Sequence, residues 1–432
     1  MNQEFFPDTE EQGIDAMTEI LPFRGVLYDT SRVKGEDVVS PPYDVITPEL
    51  KDALYSKSPY NIVKIDFGKD LEGDNDSENR YTRAGKYLND WLSEGILKET
   101  ETPSFYLYEA EYTVGNEKKV MRGLFGRVRI TELCDGIYPH EATHSKPKAD
   151  RLTLMHHCNA NLSPIFSIYN SQRRGYLDIF DKCLSTSPYI AATDLTGAEH
   201  RMWIIDDPDD VRIICKELKG NAIYIADGHH RYETALTYQK EMKAKNPAHT
   251  GTEPYNYVMM YLVNMADGGL TVLPTHRLVG NLADTGTAGF LSPLEKFFEI
   301  RSIDADRDIS AEIAGLEHAI GLAVHGVDKH FILLYRGEDL TDVPEPLRGL
   351  DVTLLHELIF KKLYNVEGVD YEMEPGVCLS KVRDGSYQAA FFLNPTRVED
   401  VERVALACLR MPPKSTYFFP KILTGFVINR LQ

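Results

Sequence analysis

The sequence has no long hydrophobic run. Of its 432 residues 43% are apolar, yet the longest nearly unbroken apolar stretch covers only 257–263. A membrane-spanning helix needs about twenty apolar residues, so we expect no membrane segment. The apolar content is still enough for a substantial core, and the length predicts two domains, or one large domain with insertions.

Positive charge is also scarce. The chain has 47 lysines and arginines against 66 aspartates and glutamates, a formal net charge of −19. Such a charge repels nucleic acid, and the sequence has no concentrated basic face. Residues 1–20 are acidic and lack the basic region of a secretory signal, so we expect a poorly ordered leader there. The expected partners therefore include neither nucleic acid nor membranes.

The cysteines are few and scattered. None of the six belongs to a CxxC pair, which argues against zinc ribbons and disulfide frameworks; they are Cys134, Cys158, Cys183, Cys215, Cys378 and Cys408. Free thiols fit a reducing compartment, so we expect a cytoplasmic protein.

Strand and helix patterns alternate along the chain, which predicts a mixed α/β fold. Thr47 followed by Pro48 indicates a helix start, and Gly115-Asn116 between two alternating runs indicates a β-hairpin. We predict strands at 24–28, 36–46, 62–67, 105–114, 119–130, 165–169, 202–205, 222–226, 257–263, 269–273, 331–335 and 389–393. We predict helices at 48–55, 78–93, 149–160, 207–218, 232–240 and 352–363, and a domain boundary at 283–289.

The most informative segment is 225–235, Ile-Ala-Asp-Gly-His-His-Arg-Tyr-Glu-Thr-Ala. A predicted strand ends at Asp227-Gly228, and a helical pattern follows. The first turn of a helix has backbone N–H groups without partners, and its positive end attracts anions, above all phosphate. His229, His230 and Arg231 would add donors there. The alternative is structural, because an aspartate can cap a helix and a glycine can simply turn the chain.

A second polar cluster covers 139–151, Pro-His-Glu-Ala-Thr-His-Ser-Lys-Pro-Lys-Ala-Asp-Arg. Glu141 could act as a general base, and Lys146, Lys148 and Arg151 could hold phosphate. Such a density of charged groups suits an active-site loop, although a solvated surface loop would have the same composition.

Four shorter segments add further candidates. They are Tyr43 and Asp44 at 40–46, Asn161 at 161–164, His276 and Arg277 at 274–277, and Lys414, Ser415 and Thr416 at 411–421. The last group combines a charge with two hydroxyl groups, but the glycines of a Walker A loop are missing. Each segment could equally be a structural turn.

Together these segments resemble the domain-of-unknown-function 1015 family of bacterial and archaeal proteins. The resemblance covers almost the whole chain after residue 20. It rests on seven ordered motifs, Pro22-Phe23-Arg24, 41–46, 139–151, 161–166, 226–235, 274–277 and the tail 414–425. The resemblance is specific for the family and implies no particular reaction.

The turn from Gly228 to Arg231 is also similar to a turn of the ParB/sulfiredoxin superfamily, where a Gly-x-His-Arg type of sequence at a helix start binds nucleotide phosphate. Sulfiredoxins have a catalytic cysteine where this chain has His229, and ParB proteins have a basic DNA-binding module that this acidic chain lacks. The superfamily also contains free-serine kinases, in which a carboxylate deprotonates the serine hydroxyl. The similarity implies a ParB/sulfiredoxin-like α/β core elaborated with mixed sheets over 21–282. A smaller C-terminal α/β region would follow over 283–432, with its tail (411–425) returning to the site.

The leading hypothesis is a nucleotide-dependent phosphotransferase that acts on a small hydroxyl metabolite, with free serine as the best guess. ATP or ADP would be the donor and Mg²⁺ a cofactor, and the expected partner is a small phosphorylated ligand. Two alternatives stay open: a non-catalytic sensor of a nucleotide or phosphometabolite, and a phosphatase or nucleotide hydrolase. The oligomeric state also stays open, a homo-oligomer included.

The hypothesis assigns a role to each candidate residue. Catalysis is expected of Glu141, Asp227 and His230, of which Asp227 or Glu141 would bind Mg²⁺. Phosphate or nucleotide binding is expected of Gly228, His229, Arg231, Lys146, Lys148, Arg151, Lys414, Ser415 and Thr416. Substrate binding is expected of Tyr43, Asp44, His140, Asn161, His276 and Arg277.

Overall fold

The computed structural model describes residues 18–280, 286–337, 340–366 and 368–431. Most of the predicted leader therefore lies outside the described residues, and so do residues 283–285 of the predicted domain boundary. The rest of that boundary belongs to a helix that begins at Gly286.

The described strands form four sheets. They are β1 Ile20–Leu21, β2 Gly25–Tyr28, β3 Leu97–Glu99, β4 Phe105–Val114, β5 Glu117–Arg129, β6 Ile137–Tyr138, β7 Ala160–Asn161, β8 Ile165–Tyr169, β9 Ile190–Thr193, β10 Glu199–Ile205, β11 Ile223–Asp227, β12 Tyr257–Asn264, β13 Thr271–Leu273, β14 His276–Val279, β15 Phe298–Asp304, β16 Ala319–Val324, β17 Lys329–Tyr335, β18 Asp370–Glu372, β19 Ala389–Phe392, β20 Tyr417–Phe419 and β21 Ile428–Arg430.

Helices pack against these sheets, so the predicted mixed α/β class is confirmed. They are α1 Gly35–Val38, α2 Pro48–Lys57, α3 Val63–Asp66, α4 Arg80–Ser93, α5 Ser145–Cys158, α6 Leu177–Leu184, α7 Pro208–Leu218, α8 His229–Lys245, α9 Gly286–Glu295, α10 Ile309–Ile313, α11 Glu345–Arg348, α12 Asp351–Thr353, α13 Pro375–Arg383 and α14 Val398–Leu406. Shorter 3₁₀ turns lie at Tyr43–Val45, Pro254–Asn256 and Met265–Asp267, and Leu354–Tyr364 is a π-helix. None of the described helices is both long and apolar enough to cross a membrane.

The largest sheet has nine strands in the order β6-β11-β8-β12-β5-β4-β10-β9, with β1 also paired to β5. Most neighbours are antiparallel, but β6 and β11 are parallel, as are β8 and β12. Both faces of this sheet are covered. In β4, Tyr106 and Tyr108 belong to one buried cluster, whereas Phe105 and Leu107 belong to another. The alternate side chains of β4 therefore pack into two different cores. They do not divide into one core-facing set and one solvent-facing set.

A second sheet, of six strands, lies in the C-terminal half in the order β15-β17-β16-β19-β14-β18. The chain then returns to elements that precede this sheet. β20 pairs with β13, and β21 lies between β2 and β7. Backbone hydrogen bonds also join Ser40 to Thr424. The tail is thus part of the N-terminal architecture.

Helix starts were predicted correctly where a side chain caps the helix. Thr47 accepts a hydrogen bond from the backbone N–H of Leu50, and Asp207 does the same at the start of α7. The predicted hairpin at 105–130 is likewise present as β4 and β5.

Two predicted strands are wrong. Residues 62–67 form α3, because Asn61 accepts a hydrogen bond from the N–H of Val63 and so starts a helical turn. Residues 36–46 contain α1 and a 3₁₀ turn, because Pro41 and Pro42 lack the N–H groups that a strand ladder needs.

The expectation that all cysteines are free is also wrong. Cys134 and Cys408 form a disulfide whose Cα atoms are 5.9 Å apart, with a sequence separation of 274. The four other cysteines are free thiols. The disulfide joins the segment before β6 to the C-terminal segment that follows α14.

Candidate functional site

The site is centred on the turn between β11 and α8. Strand β11 ends at Asp227, where a bulge against β8 changes the direction of the side chains. Gly228 caps the helix with a φ of +96°, in the left-handed region that favours glycine. The first helical hydrogen bond runs from the N–H of Tyr232 to the carbonyl of Gly228. In the described part of the chain, no side chain accepts from the N–H groups of residues 229–231, so they are free to bind an anion.

Two cations meet at Asp227. Nη2 of Arg231 lies 3.3 Å and Nζ of Lys421 lies 3.6 Å from Oδ2 of this carboxylate. Arg231 also donates to the carbonyl of Pro164, and the ammonium of Lys421 lies over the ring of Tyr417. Burial tends to raise the pKa of Asp227, but the charges of Lys421 and Arg231 outweigh it and hold the pKa well below its usual range. Two positive charges against one negative leave an excess of positive charge at Asp227, while Glu141 contributes a second carboxylate nearby.

His229 lies inside the protein and forms a pair with Glu141. Its Nε2 accepts a hydrogen bond from the backbone N–H of His140 at 3.3 Å. Because a backbone N–H can only donate, Nε2 carries no proton, and in the neutral ring the proton is on Nδ1. That nitrogen faces Oε2 of Glu141 at 3.8 Å. Burial lowers the pKa of His229 well below its ordinary value, which keeps the ring neutral.

Glu141 has a second partner in the C-terminal tail. Its Oε1 accepts a hydrogen bond of 2.8 Å from the backbone N–H of Lys414, a residue in the left-handed region with φ of +56°. Burial raises the pKa of Glu141, although Lys414 acts in the opposite direction. The pKa of Glu141 is thus raised, whereas that of Asp227 is lowered. Glu141 is therefore the stronger base of the two carboxylates of the site.

His230 is held by the same loop. The backbone N–H of His144 donates to its Nε2 at 2.9 Å, so the proton of the neutral ring lies on Nδ1. Burial and then the neighbouring His144 lower the pKa of His230. Close by, Oε2 of Glu233 accepts from both Thr143 and Lys148. These contacts lay the 139–148 segment along the start of α8.

The C-terminal tail covers the other side of that segment. The N–H of Met411 donates to the carbonyl of His140 at 2.8 Å, and Nε2 of His140 lies 2.9 Å from the hydroxyl of Thr416. Burial lowers the pKa of His140 to about 4. Segments that are far apart in sequence, 139–148, 227–231 and 411–421, are therefore in contact.

Several predicted ligands have other partners. The guanidinium of Arg151 is 7% exposed and pairs with Asp66 and Asp150, so its charge is already neutralised. The ammonium of Lys148 pairs with Glu233, and Lys146 is exposed at the start of α5. His229, expected to donate to phosphate, instead faces Glu141. Arg151, Lys148 and His229 therefore support the turn through these partners, whereas Lys146 has no ion pair among the described residues.

The remaining predicted residues divide into structural and peripheral groups. The side chain of Asn161 accepts from the N–H of Met259 and the amide of Asn429, and the hydroxyl of Ser415 donates to the carbonyl of Pro412. His276 is buried and accepts from the N–H of Leu393. These contacts are structural, because they satisfy backbone groups inside the fold.

Tyr43 and Asp44 lie at the edge of the turn. The guanidinium of Arg151 lies 4.1 Å from the ring centre of Tyr43. Burial raises the pKa of Tyr43 to about 12, against the opposing charges of Arg231 and Arg151. Asp44 is exposed on the 3₁₀ turn and close enough to raise the pKa of His230 in part, against the larger effect of burial.

Sequence reasoning missed Lys421. It lies in the 414–425 segment that carries the family resemblance, but Lys414 was the only lysine selected there, because it precedes two hydroxyl residues. The side chain of Lys414 is exposed, whereas that of Lys421 is 15% exposed and points to Asp227. The only sequence signal was membership of the tail motif. Arg410, which donates to the carbonyl of Pro139, was also missed, because it lies just before the 411–421 segment.

No cluster of three metal-binding side chains occurs among residues that the structure describes. Asp227 and Glu141 are single carboxylates with other partners. A Mg²⁺ ion, which prefers six oxygen ligands and keeps several waters, would need most of its ligands from a bound phosphate and water.

Comparison with known proteins identifies a family and several solved structures of low similarity. No protein of curated function matches the sequence. A mutant free serine kinase in complex with AMP is 13% identical; the match covers 72% of this chain and 92% of that chain, with a TM-score of 0.36. A conserved hypothetical protein from Pyrococcus furiosus is 14% identical, with 71% and 94% covered and a TM-score of 0.34. SbnI with a C-terminal truncation, from Staphylococcus aureus, is 12% identical, with 69% and 85% covered and a TM-score of 0.35.

These TM-scores are low, so the chemistry of the site rests on this chain's own residues. The family comparison is firmer. The family model described as "Protein of unknown function (DUF1015)" matches residues 20–353, well over half of the sequence. The resemblance predicted from the seven motifs is thereby confirmed, and the chain belongs to the DUF1015 family.

Proposed function

We propose that the protein is a nucleotide-dependent phosphotransferase. It would transfer the terminal phosphoryl group of ATP or ADP to the hydroxyl group of a small metabolite, with free serine as the first substrate to test. The observation that carries the proposal is the meeting of Arg231 and Lys421 at Asp227, directly beside the uncapped N–H groups of α8.

This arrangement supports phosphate binding in three ways. The N–H groups of residues 229–231 point out of the helix start, where the helix dipole favours an anion. Arg231 and Lys421 add charge-assisted donors that Asp227 holds in place. Nδ1–H of His230 adds a neutral donor, because its Nε2 is already used by the backbone of His144.

Glu141 is the better candidate for the base. A general base works best when its pKa approaches the working pH, and burial moves the pKa of Glu141 in that direction. The pKa of Asp227 moves the other way, so we assign Asp227 to holding the two cations. In the proposed step, the serine oxygen bonds to the terminal phosphorus as the bond from that phosphorus to the bridging oxygen breaks. Glu141 accepts the hydroxyl proton, and the nucleotide leaves one phosphate shorter.

Mg²⁺, when bound, would neutralise part of the negative charge of the phosphates. Its protein ligand would be one carboxylate, Asp227 or Glu141, and the remaining ligands would be phosphate oxygens and water. The residues of this chain would bind the phosphates, orient the hydroxyl group and accept its proton.

The direct test is turnover by the purified protein. With ATP or ADP, Mg²⁺ and serine, we expect nucleotide consumption that depends on serine and an equal amount of phosphoserine, measured by ³¹P NMR. An equimolar mixture of other hydroxyl metabolites tests the acceptor. Nucleotide loss without any acceptor would mean that the protein is a hydrolase, and saturable binding without consumption would mean that it is a sensor.

Gly228→Ala tests the phosphate-binding turn itself. A methyl group at this position would lie 2.9 Å from Cζ and Nε of Arg231 and would push the guanidinium away from Asp227. The left-handed φ adds about 1–2 kcal/mol of backbone cost. We expect nucleotide affinity to fall about tenfold or more, measured by calorimetric titration, because a charge-assisted contact is lost.

Gly197→Ala is the matched control. Gly197 also has a left-handed φ, of +83°, but nothing lies within 4 Å of a methyl group built there. Its stability loss should be similar, while its nucleotide affinity should match the wild type. Equal affinities for both variants would show that the turn at 228 does not bind the nucleotide.

A further inference from the structure

Arg277 is a buried cation that forms no ion pair with the described residues, although the charge of Glu141 acts on it from a distance. Its side chain is 1% exposed, and its guanidinium donates to the carbonyls of Thr275, Pro413 and Lys414, which are neutral acceptors. Within the described ranges, no carboxylate forms an ion pair with it, and its Nε has no hydrogen-bond partner. A buried charge is costly unless an opposite charge accompanies it. The guanidinium of Arg277 can therefore take a further, anionic partner.

A cavity lies next to this guanidinium. Arg277 lines a space of about 470 Å³ between the ends of β14 and β19 and the helices α12 and α14. Its size is within the range of small-molecule sites. The cavity wall does not include residues 227–231, Glu141 or Lys421, so it is separate from the proposed phosphotransfer site.

Two arginines on the cavity wall have no ion pair among the described residues. Asp400 pairs with Arg403 at 2.8 Å, and Asp351 lies 3.5 Å from Nδ1 of His318. Arg397 is exposed at the rim and, over the described residues, has no ion pair. With Arg277 this makes two arginines without an ion pair, while the three arginines of the wall face three carboxylates in all, Glu317, Asp351 and Asp400. The carboxylates of the wall would repel a ligand with several negative charges. The cavity therefore suits a molecule with one acidic group.

We propose that this cavity is a second ligand site, in which Arg277 binds the carboxylate or phosphate group of a small anionic metabolite and Arg397 closes over the same group from the rim. The guanidinium fork can bind either oxyanion with two parallel hydrogen bonds. The proposal moves Arg277 from the substrate-binding residues of the sequence hypothesis to a site of its own, so it does not depend on phosphotransfer.

The test uses two probes, inorganic phosphate and lactate, titrated into ¹⁵N-labelled protein. The Arg231→Ala variant serves as the background, since it removes phosphate binding at the turn. We expect one probe or both to saturate and to shift the Nε–H resonance of Arg277. Arg277→Gln should weaken binding about tenfold to hundredfold, the range for a hydrogen bond to a charged group. The probe that binds more tightly identifies the class of acidic group.

Two further variants make the result decisive. Arg397→Gln changes an exposed position and should weaken binding about threefold without affecting folding, so it serves if Arg277→Gln does not fold. Arg383→Gln, an exposed arginine of α13 that does not line the cavity, should bind as the background does. The proposal is overturned if neither probe binds at tens of millimolar, or if neither cavity variant changes the affinity.

Discussion

Replacing Glu141 by glutamine is expected to stop turnover while nucleotide binding remains. Glutamine can still accept the hydrogen bond from the N–H of Lys414, so the tail stays in place, but it cannot accept the proton of the substrate hydroxyl. Loss of a general base typically slows a reaction about 10²- to 10⁴-fold. The measurements are kcat with serine and ATP, and the dissociation constant of ATP by calorimetry.

The pH profile separates a base from a merely structural group. The base must be deprotonated, so the wild-type kcat should rise with pH through the pKa of Glu141, which burial raises above the usual glutamate value. The residual activity of Glu141→Gln should lack this rise. Glu233→Gln is the matched control, because Glu233 also touches the 139–148 segment through Lys148 but does not contact His229. A Glu141→Gln enzyme with kcat near that of the wild type would remove Glu141 from the mechanism.

Arg231→Ala is expected to give the largest loss of nucleotide affinity. The variant loses a positive charge at the helix start. Asp227 also loses one of its two cationic partners and keeps only Lys421. With one cation left for one carboxylate, the excess positive charge is gone. A hydrogen bond to a charged group contributes about 1.5–3 kcal/mol, and two such contacts to phosphate predict a loss of 100-fold or more by calorimetric titration.

Arg231→Lys refines this result. Lysine restores the charge but not the planar fork, so it should recover only part of the affinity. Arg83→Ala provides the control, because Arg83 also pairs with an aspartate, Asp74, but belongs to α4 and not to the turn. Circular dichroism must show that all three variants are folded. Wild-type nucleotide affinity in a folded Arg231→Ala protein would contradict the proposed site.

The sequence predicted features that depend on neighbouring residues. The hairpin of β4 and β5, the caps at Thr47 and Asp207 and the strand–turn–helix around Gly228 all follow from short patterns, because their determinants lie within a few residues. The prediction failed at 62–67, where a short apolar run fits a helix or a strand equally well. It also failed for Cys134 and Cys408, whose contact depends on the whole fold.

Which way a side chain faces was harder to predict than which residues cluster. The two histidines after Gly228 are chemically identical in the sequence, yet His229 is 4% exposed and faces Glu141, while His230 stays at the surface. A helix rotates successive side chains by about 100°, so one of them had to turn inward. Arg151 and Lys421 show the same limit. Only tertiary contacts decide that the first pairs with Asp66 and the second with Asp227.

The position of β21 has a consequence for the protein while it is being synthesised. The strand enters between β2 and β7, which are synthesised hundreds of residues earlier, and Lys421 precedes it by only a few residues. While a ribosome is still translating the second half, these two strands keep unpaired edges, and such edges attract other chains. The nascent chain is therefore exposed to aggregation through these edges until β21 has been synthesised, and the proposed phosphate site lacks Lys421 until the same stage.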